Sequence, residues 1–529
     1  MKHTIKYLAI LALGLVACEP EFDNPISDEG TYDSGSADFS NYVALGNSIT
    51  AGYGGGGLYI TGQENSYANI LSQQFALAGG GEFTTPFVSD NTGGALLGGT
   101  QILENRLVLA FDEDGNPGPA RYTGASPTTE IGNILAGPFN NMGVPGAKSF
   151  HLTAAAAGYG NIAGVASGLS NPYFVRIASS PTASVIEDAV SQNPTFFSLW
   201  IGNNDILGYA TSGGIGVDQN EAGNFDPTTY GGNDITNNLV FAGAYEELVT
   251  KLTANGAKGV LLNLASVTSL PFFTTVPYDP LSPLDPNFGP QISTLNEVYA
   301  GLNQAFAFIG VPERSIVFSE TAASAVVIKD ESLTDITATL TTVLTPSFGP
   351  LAPILAAQFG QARQATAEDL LVLPSSSVIG QLNTDRFAEL VGFGLSQEMA
   401  GQFSVEGVSL PLADQYVLIP SEQAAIESAR ASYNATIQSL AAANGLAFYD
   451  SASDLEQVAN GGIEINGGII TSTFATGGAF TLDGVHPSPR AHAFTANQLL
   501  DAIQTTYGAK LPRVDPSDYG TITLSNEVN

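Results

Sequence analysis

Four short segments hold side chains whose types and spacing suit chemistry at an acyl carbon. The first, Gly46-Asn47-Ser48-Ile49-Thr50-Ala51-Gly52-Tyr53, follows a short apolar run, so Ser48 sits among small residues at a strand end where its hydroxyl can be exposed. The second is Asn141-Met142-Gly143-Val144-Pro145-Gly146-Ala147, and the third, Gly202-Asn203-Asn204-Asp205, directly follows the apolar run ending at Ile201. The fourth, Asp483-Gly484-Val485-His486-Pro487, stands just before the last helical stretch. A serine hydroxyl is a weak nucleophile until a neighbouring imidazole takes its proton. His486 suits that general-base role. Asp483, three residues earlier on the same turn, suits the task of holding the imidazole tautomer and stabilising the imidazolium. Of the four histidines, His3 lies in an N-terminal leader pattern, His151 has no acid nearby in sequence, and His492 falls inside a helical pattern. His486 is the candidate base.

The elements around these segments alternate between strand and helix. Tyr42-Val43-Ala44-Leu45 reads as a buried strand, followed by a helix over 66–78. Residues 180–194 read as a helix, 195–201 as a strand, 238–255 as a helix and 259–264 as a strand. Ile426, Ala429, Tyr433, Ile437 and Leu440 mark one face of a helix over 421–443, which Gly445 stops before the strand 446–449. A last helix spans 489–506. This rhythm predicts an α/β fold with a mostly parallel sheet covered on both faces, and sites in such sheets lie at the carboxyl ends of the strands. Two stretches break the rhythm. Residues 80–140 are Gly-rich with hairpin-like turns. Residues 268–420 begin with six prolines in 23 positions and continue with amphipathic pieces near 291–309, 334–344 and 351–364. They read as an insertion, either a cap over the site or a structural annex. No fixed-period repeat is present.

In this order the four segments resemble the SGNH hydrolases, the GDSL-type lipases and esterases. The resemblance covers 41–267 and 421–510 and leaves 268–420 unexplained. It implies a three-layer α/β/α sandwich around a flavodoxin-like parallel sheet. It also implies a serine esterase or lipase with Ser48, Asp483 and His486 as catalytic residues and an oxyanion hole of Ser48, Gly146 and Asn204. No cofactor and no metal is expected. The backbone N–H groups of Ser48 and Gly146 and the Asn204 amide would receive the oxyanion, and loss of one such donor costs about 2.7–4 kcal/mol. The first block departs from the family pattern at Asn47, where aspartate is usual, and at Ile49, where leucine is usual. Two ester classes compete: a lipid or other long-acyl ester, favoured by the Pro- and Phe-containing 268–420 stretch, and an acetylated polysaccharide. A third reading is a surface-binding lipoprotein that has lost catalysis.

Other segments carry weaker signals. Tyr53-Gly54-Gly55-Gly56-Gly57 reads equally as a mobile substrate loop or a linker. Asp112-Glu113-Asp114-Gly115-Asn116 hints at a calcium loop, yet Pro117 stands where an EF-hand needs glycine and Thr123 where it needs glutamate. A solvated hairpin turn is the better reading.

Composition narrows the partners. Apolar residues make up 44% and charged residues 12% of the 529-residue chain, enough for a sizeable core. Lys2 and Lys6 precede a short apolar stretch that closes on Leu15-Val16-Ala17-Cys18, a pattern resembling a bacterial lipobox. That resemblance implies a signal peptide over 1–17, acylation of Cys18 and anchoring in the cell envelope, with an ordinary secretory signal as the alternative. Without Lys2 and Lys6, fourteen basic residues face fifty acidic ones, a net charge of −36, which disfavours nucleic acid as a partner. Cys18 is the only cysteine, so no disulfide forms within the chain. Residues 18–40, acidic and rich in Ser, Gly and Pro, read as a flexible tether, and 511–529 as a C-terminal tail. Glu19, Glu21 and Asp23 point to the outer membrane, with inner-membrane retention as the alternative. No other stretch approaches eighteen uninterrupted apolar residues.

Overall fold

Val43, Ala44 and Leu45 have no exposed surface, although alternate residues of a strand face opposite sides of its sheet. Both faces of the sheet are therefore covered. The computed structural model describes residues 32–528 apart from 114, 154, 155 and 157. Its central sheet has five strands, all parallel: β1 (Tyr42–Gly46), β2 (Asn141–Gly143), β3 (Phe196–Trp200), β4 (Lys258–Leu262) and β5 (Ala447–Tyr449). The spatial order is β5-β4-β3-β1-β2. Chain order thus reverses beside β1, and the crevice outside the carboxyl ends at that point is where such sheets place ligands. Register brings the strand ends level, because Gly46 lies between Gly143 and Trp200.

Helices cover the sheet in two groups. Helix α1 (Ser48–Ala51) turns directly off β1, and α2 (Tyr67–Ala76) starts at the Ser66 hydroxyl, which caps the Asn69 N–H. Helix α3 (Val185–Ser191) opens with a capping box between Ser184 and Glu187; α4 (Asn204–Thr211) and α5 (Asn238–Thr253) follow β3. Helix α6 (Pro420–Asn444) has Pro420 in its first turn and ends at Gly445 in the left-handed conformation. Its buried stripe of Ile426, Ala429, Tyr433 and Ile437 packs on α5, where the Tyr433 and Phe241 rings stack at 4.0 Å. Helix α7 (Ser451–Ala459) follows β5. Helix α8 (Pro489–Tyr507) packs on α2 and β5. The Tyr507 hydroxyl donates to the Gly259 carbonyl at 2.7 Å and accepts from the Ala447 N–H at 3.1 Å, pinning β4 to β5.

Two boundaries differ from the expectations. Residues 1–31, with Cys18 and most of the expected tether, lie outside the described residues. Residues 32–40, also read as tether, are instead packed. Phe39 is 2% exposed, stacks on Phe75 at 4.1 Å and meets Phe196 edge-on, contacts that add about 0.5–1.5 kcal/mol per pair beyond burial. The 511–528 tail is bound too: Leu109 donates to the Thr523 carbonyl, Arg490 to that of Gly520, and Leu511 joins the main core. Leu107–Phe111 pairs with Pro117–Arg121 as a hairpin, and Asp112 Oδ1 accepts from the Asn116 N–H between the two strands.

Residues between Val276 and Ile419 gather a second hydrophobic core around Ile292, Phe306, Ile328, Leu340 and Phe359. Within it, Thr337–Phe359 is long and apolar enough to cross a bilayer by length and composition, with mean hydropathy 1.3. The run does not form one straight helix. It turns at Gly349–Leu351, and the Ile336 N–H reaches the Gly360 carbonyl, so its two ends meet as a helical hairpin.

Where this second core meets α6, the carboxylates of Glu331, Asp414 and Glu422 lie within 4.8 Å of one another. Burial and the facing Glu331 push the Glu422 and Asp414 carboxyls up. A carboxyl whose folded-state pKa is raised stabilises the fold below the ordinary carboxylate range, and that stability is lost as pH rises. Melting temperature should therefore fall between pH 5 and pH 8.5, and Glu422→Gln should flatten that fall. An unchanged slope in the variant would show that the cluster does not set it.

Candidate active site

Ser48 owes its position to close packing behind it. A side chain at Gly46 would fall 2.1 Å from the Thr50 hydroxyl and 2.4 Å from the Trp200 carbonyl, so only glycine lets α1 turn this tightly off β1. Asn47 caps the turn: its Oδ1 accepts from the Ile49 N–H at 3.0 Å, and its Nδ2 donates to Asn203 Oδ1 at 3.0 Å. Asn47 thus joins the first block to the third.

His486 Nε2 lies 3.0 Å from Ser48 Oγ, and His486 Nδ1 lies 2.8 Å from Asp483 Oδ2. Two residues 438 positions apart therefore meet in a hydrogen-bonded chain. The Asp483 carboxylate is held from several directions. Its Oδ1 accepts the Val485 and His486 backbone N–H groups at 2.9 Å and the Thr481 hydroxyl at 3.0 Å, and its Oδ2 accepts the Gly56 N–H at 2.9 Å. Burial alone would raise its pKa, but the His486 ring and these hydrogen bonds outweigh burial and hold the carboxyl well below the usual range. The other two described histidines behave differently. Burial and the nearby Lys148 push His151 down to about 4, and its Nδ1 accepts from the Lys148 N–H. His492 is pushed down to about 3, mainly by burial, and accepts from the Tyr67 N–H.

Gly146 has φ +80°, a conformation that favours glycine. Its N–H and that of Ser48 find no acceptor among the described residues. Val144 donates to the Gly46 carbonyl at 2.9 Å, which places the Gly146 loop beside the nucleophile turn. Asn204 Nδ2 donates to the Ala147 carbonyl at 2.8 Å, which orients the amide against that loop and leaves its second N–H for another acceptor. All five expected residues therefore lie on loops or helix first turns that the hydrogen bonds join, at the carboxyl ends of β1, β2 and β3 and just before α8.

Five supporting residues were not assigned from sequence. Asp205, fully buried, accepts both the N–H and the hydroxyl of Ser149, tying the Gly146 loop to α4. Thr481 and Gly56 hold Asp483, and Gly55 in turn donates to the Thr481 hydroxyl. Tyr53 lies against the His486 ring, with centroids 4.8 Å apart, and burial and Asp483 push its phenol up to about 12, so it stays neutral. The Gly-rich stretch, read from sequence as a mobile substrate loop or a linker, is hydrogen-bonded to Thr481 through Gly55 and to Asp483 through Gly56.

The arrangement has a serine hydroxyl, an imidazole that contacts it, a carboxylate that holds the imidazole, and backbone and amide N–H groups alongside. Searches against protein-family models, curated proteins and solved structures found no match to this chain.

Proposed function

We propose that this chain is a serine hydrolase of carboxylic esters, of the SGNH type, acting through an acyl-Ser48 intermediate. The Ser48–His486–Asp483 hydrogen-bonded chain, at 3.0 and 2.8 Å, carries the reading. Ser48 Oγ attacks the acyl carbon while His486 Nε2 takes its proton, and Asp483 stabilises the resulting imidazolium. The oxyanion accepts the N–H groups of Ser48 and Gly146 and the free Asn204 amide N–H. Collapse expels the alcohol, which leaves with the proton from His486. Water, deprotonated by the same imidazole, then splits the acyl-serine ester and releases a carboxylic acid, restoring Ser48. No step needs a metal or cofactor. The family reading is supported by all four blocks meeting in one crevice and by a sheet order of 2-1-3-4-5 in chain numbering, which is the flavodoxin-like order.

The same reading makes Cys18 a lipid-anchor site and the ester substrate a component or contact of the bacterial envelope. Turnover tests it. The purified chain should release nitrophenol from a p-nitrophenyl ester well above the buffer rate. A folded chain inert towards acetyl and longer esters alike would leave the silent binding lipoprotein as the better account.

A further inference from the structure

We infer, on the premise of the hydrolase reading above, that the acyl half of the substrate is an apolar chain of medium length, held in a pocket built by the catalytic core. The pocket is walled by Ile49, Trp200, Leu455, Phe480, Val485 and Phe494. Ile49 follows Ser48 in the chain and Val485 precedes His486, so the pocket is built on the same two turns that bring Ser48 and His486 together. The remaining walls come from the end of β3, from α7, from Phe480 in the segment before α8, and from α8 itself; β3 lies on the β5 side of β1, α7 follows β5 and α8 packs on it. The Gly146 loop leaves β2, on the other side of β1. A carbonyl whose oxygen points to the Gly146 loop can therefore extend a substituent away from it into the apolar walls. Where polar groups line the pocket they are largely spent on each other: the Tyr449 hydroxyl donates to Asp454. Trp200 is 7% exposed, and its indole nitrogen is itself buried, so the ring presents hydrocarbon to the pocket.

Size sets the chain length. The cavity holds about 120 Å³, and an engineered apolar cavity of about 150 Å³ accommodates the six carbons of benzene. About five carbons fit inside, longer than acetyl and far shorter than palmitoyl. A more voluminous cleft exists between Pro280–Leu295 and Gly401–Ser409, but its lining includes no residue next to Ser48 or His486. The acyl site is thus assigned to the core, with Leu270 the one wall residue drawn from 268–420, the stretch whose sequence suggests an acyl groove.

The test is a series of p-nitrophenyl esters, from acetate through butyrate, hexanoate and octanoate to palmitate, on the full chain. kcat/KM should rise at least tenfold from acetate to hexanoate and fall again by palmitate. Ala491→Phe, which fills the pocket from α8, should lower hexanoate turnover at least tenfold and leave acetate within about twofold. Phe494→Ala, which enlarges the pocket, should move the optimum to longer chains, and it serves if Ala491→Phe does not fold. Hydrolysis of acetate with a flat chain-length series, unmoved by whichever variant folds, would overturn the pocket while leaving the hydrolase reading intact. A response to the alcohol at constant acetyl, and not to the acyl chain, would overturn it in favour of a leaving-group site. Failure on every ester would instead defeat the hydrolase reading itself.

Discussion

Ser48→Ala should lower kcat on a p-nitrophenyl ester by about 10⁵–10⁶-fold, the scale on which loss of a serine nucleophile acts when base and acid remain. The fold should survive, because the substitution removes one hydroxyl at the first position of a short helix and places there a residue that favours helix. The cap by Asn47 and the packing of Gly46 do not involve the Ser48 side chain. A melting temperature near wild type combined with lost turnover separates a missing nucleophile from a broken crevice. Retained turnover in a folded variant would place the nucleophile elsewhere.

The second large effect is at Asp483. Asp483→Asn should cost about 10⁴-fold in kcat, because an amide cannot meet both demands now made on the carboxylate. If Nδ2 turns to His486, the imidazole must present an unprotonated Nδ1 and carry its proton on Nε2, where it no longer accepts from Ser48. If Nδ2 turns the other way, it faces the Val485 and His486 backbone N–H groups, three donors with no acceptor between them. Leaving such buried donors unsatisfied costs about 1–3 kcal/mol, so the variant should also melt earlier. The sign of the pH effect follows from the depressed pKa. Stability drawn from the Asp483 network is present above the ordinary carboxylate range and is lost only as pH falls through the lowered value. The decline of activity between pH 7 and pH 5 should therefore not reflect protonation of Asp483. A wild-type titration that shows a carboxyl near pH 5 coupled to activity would contradict this.

Much of the crevice is legible locally, because its chemistry sits at the edges of periodic runs. Ser48 follows a continuous apolar strand, Asn204 follows another, and Asp483 and His486 share one turn before a helix signalled by Ser488 and Pro489. What escaped depends on contacts between distant residues. Gly56 supports Asp483 across 427 positions, and nothing in a run of glycines reveals which carboxylate its N–H groups will meet. Asp205 stands in the third block, yet its bond to Ser149 requires knowing that the loops after β2 and β3 run side by side. Strand β2, only Asn141–Gly143, is too short and too poor in branched residues to read as a strand, and its place is set by pairing with Ala44–Gly46. Phe39 was lost in an acidic, Ser-rich context, since a single aromatic residue carries no periodicity. Helix α7, Ser-Ala-Ser-Asp-Leu-Glu-Gln-Val-Ala, is mostly polar and was not anticipated, and it supplies two walls of the acyl pocket, Leu455 and Val458.

The most direct test of the central claim is covalent labelling by a fluorophosphonate, followed by peptide mapping. The phosphorus should be attacked by an activated serine, with loss of fluoride, and the adduct should appear on the peptide containing Ser48 in wild type and vanish in Ser48→Ala. An unlabelled wild-type chain, or an adduct on another residue with Ser48 unmodified, would contradict the account.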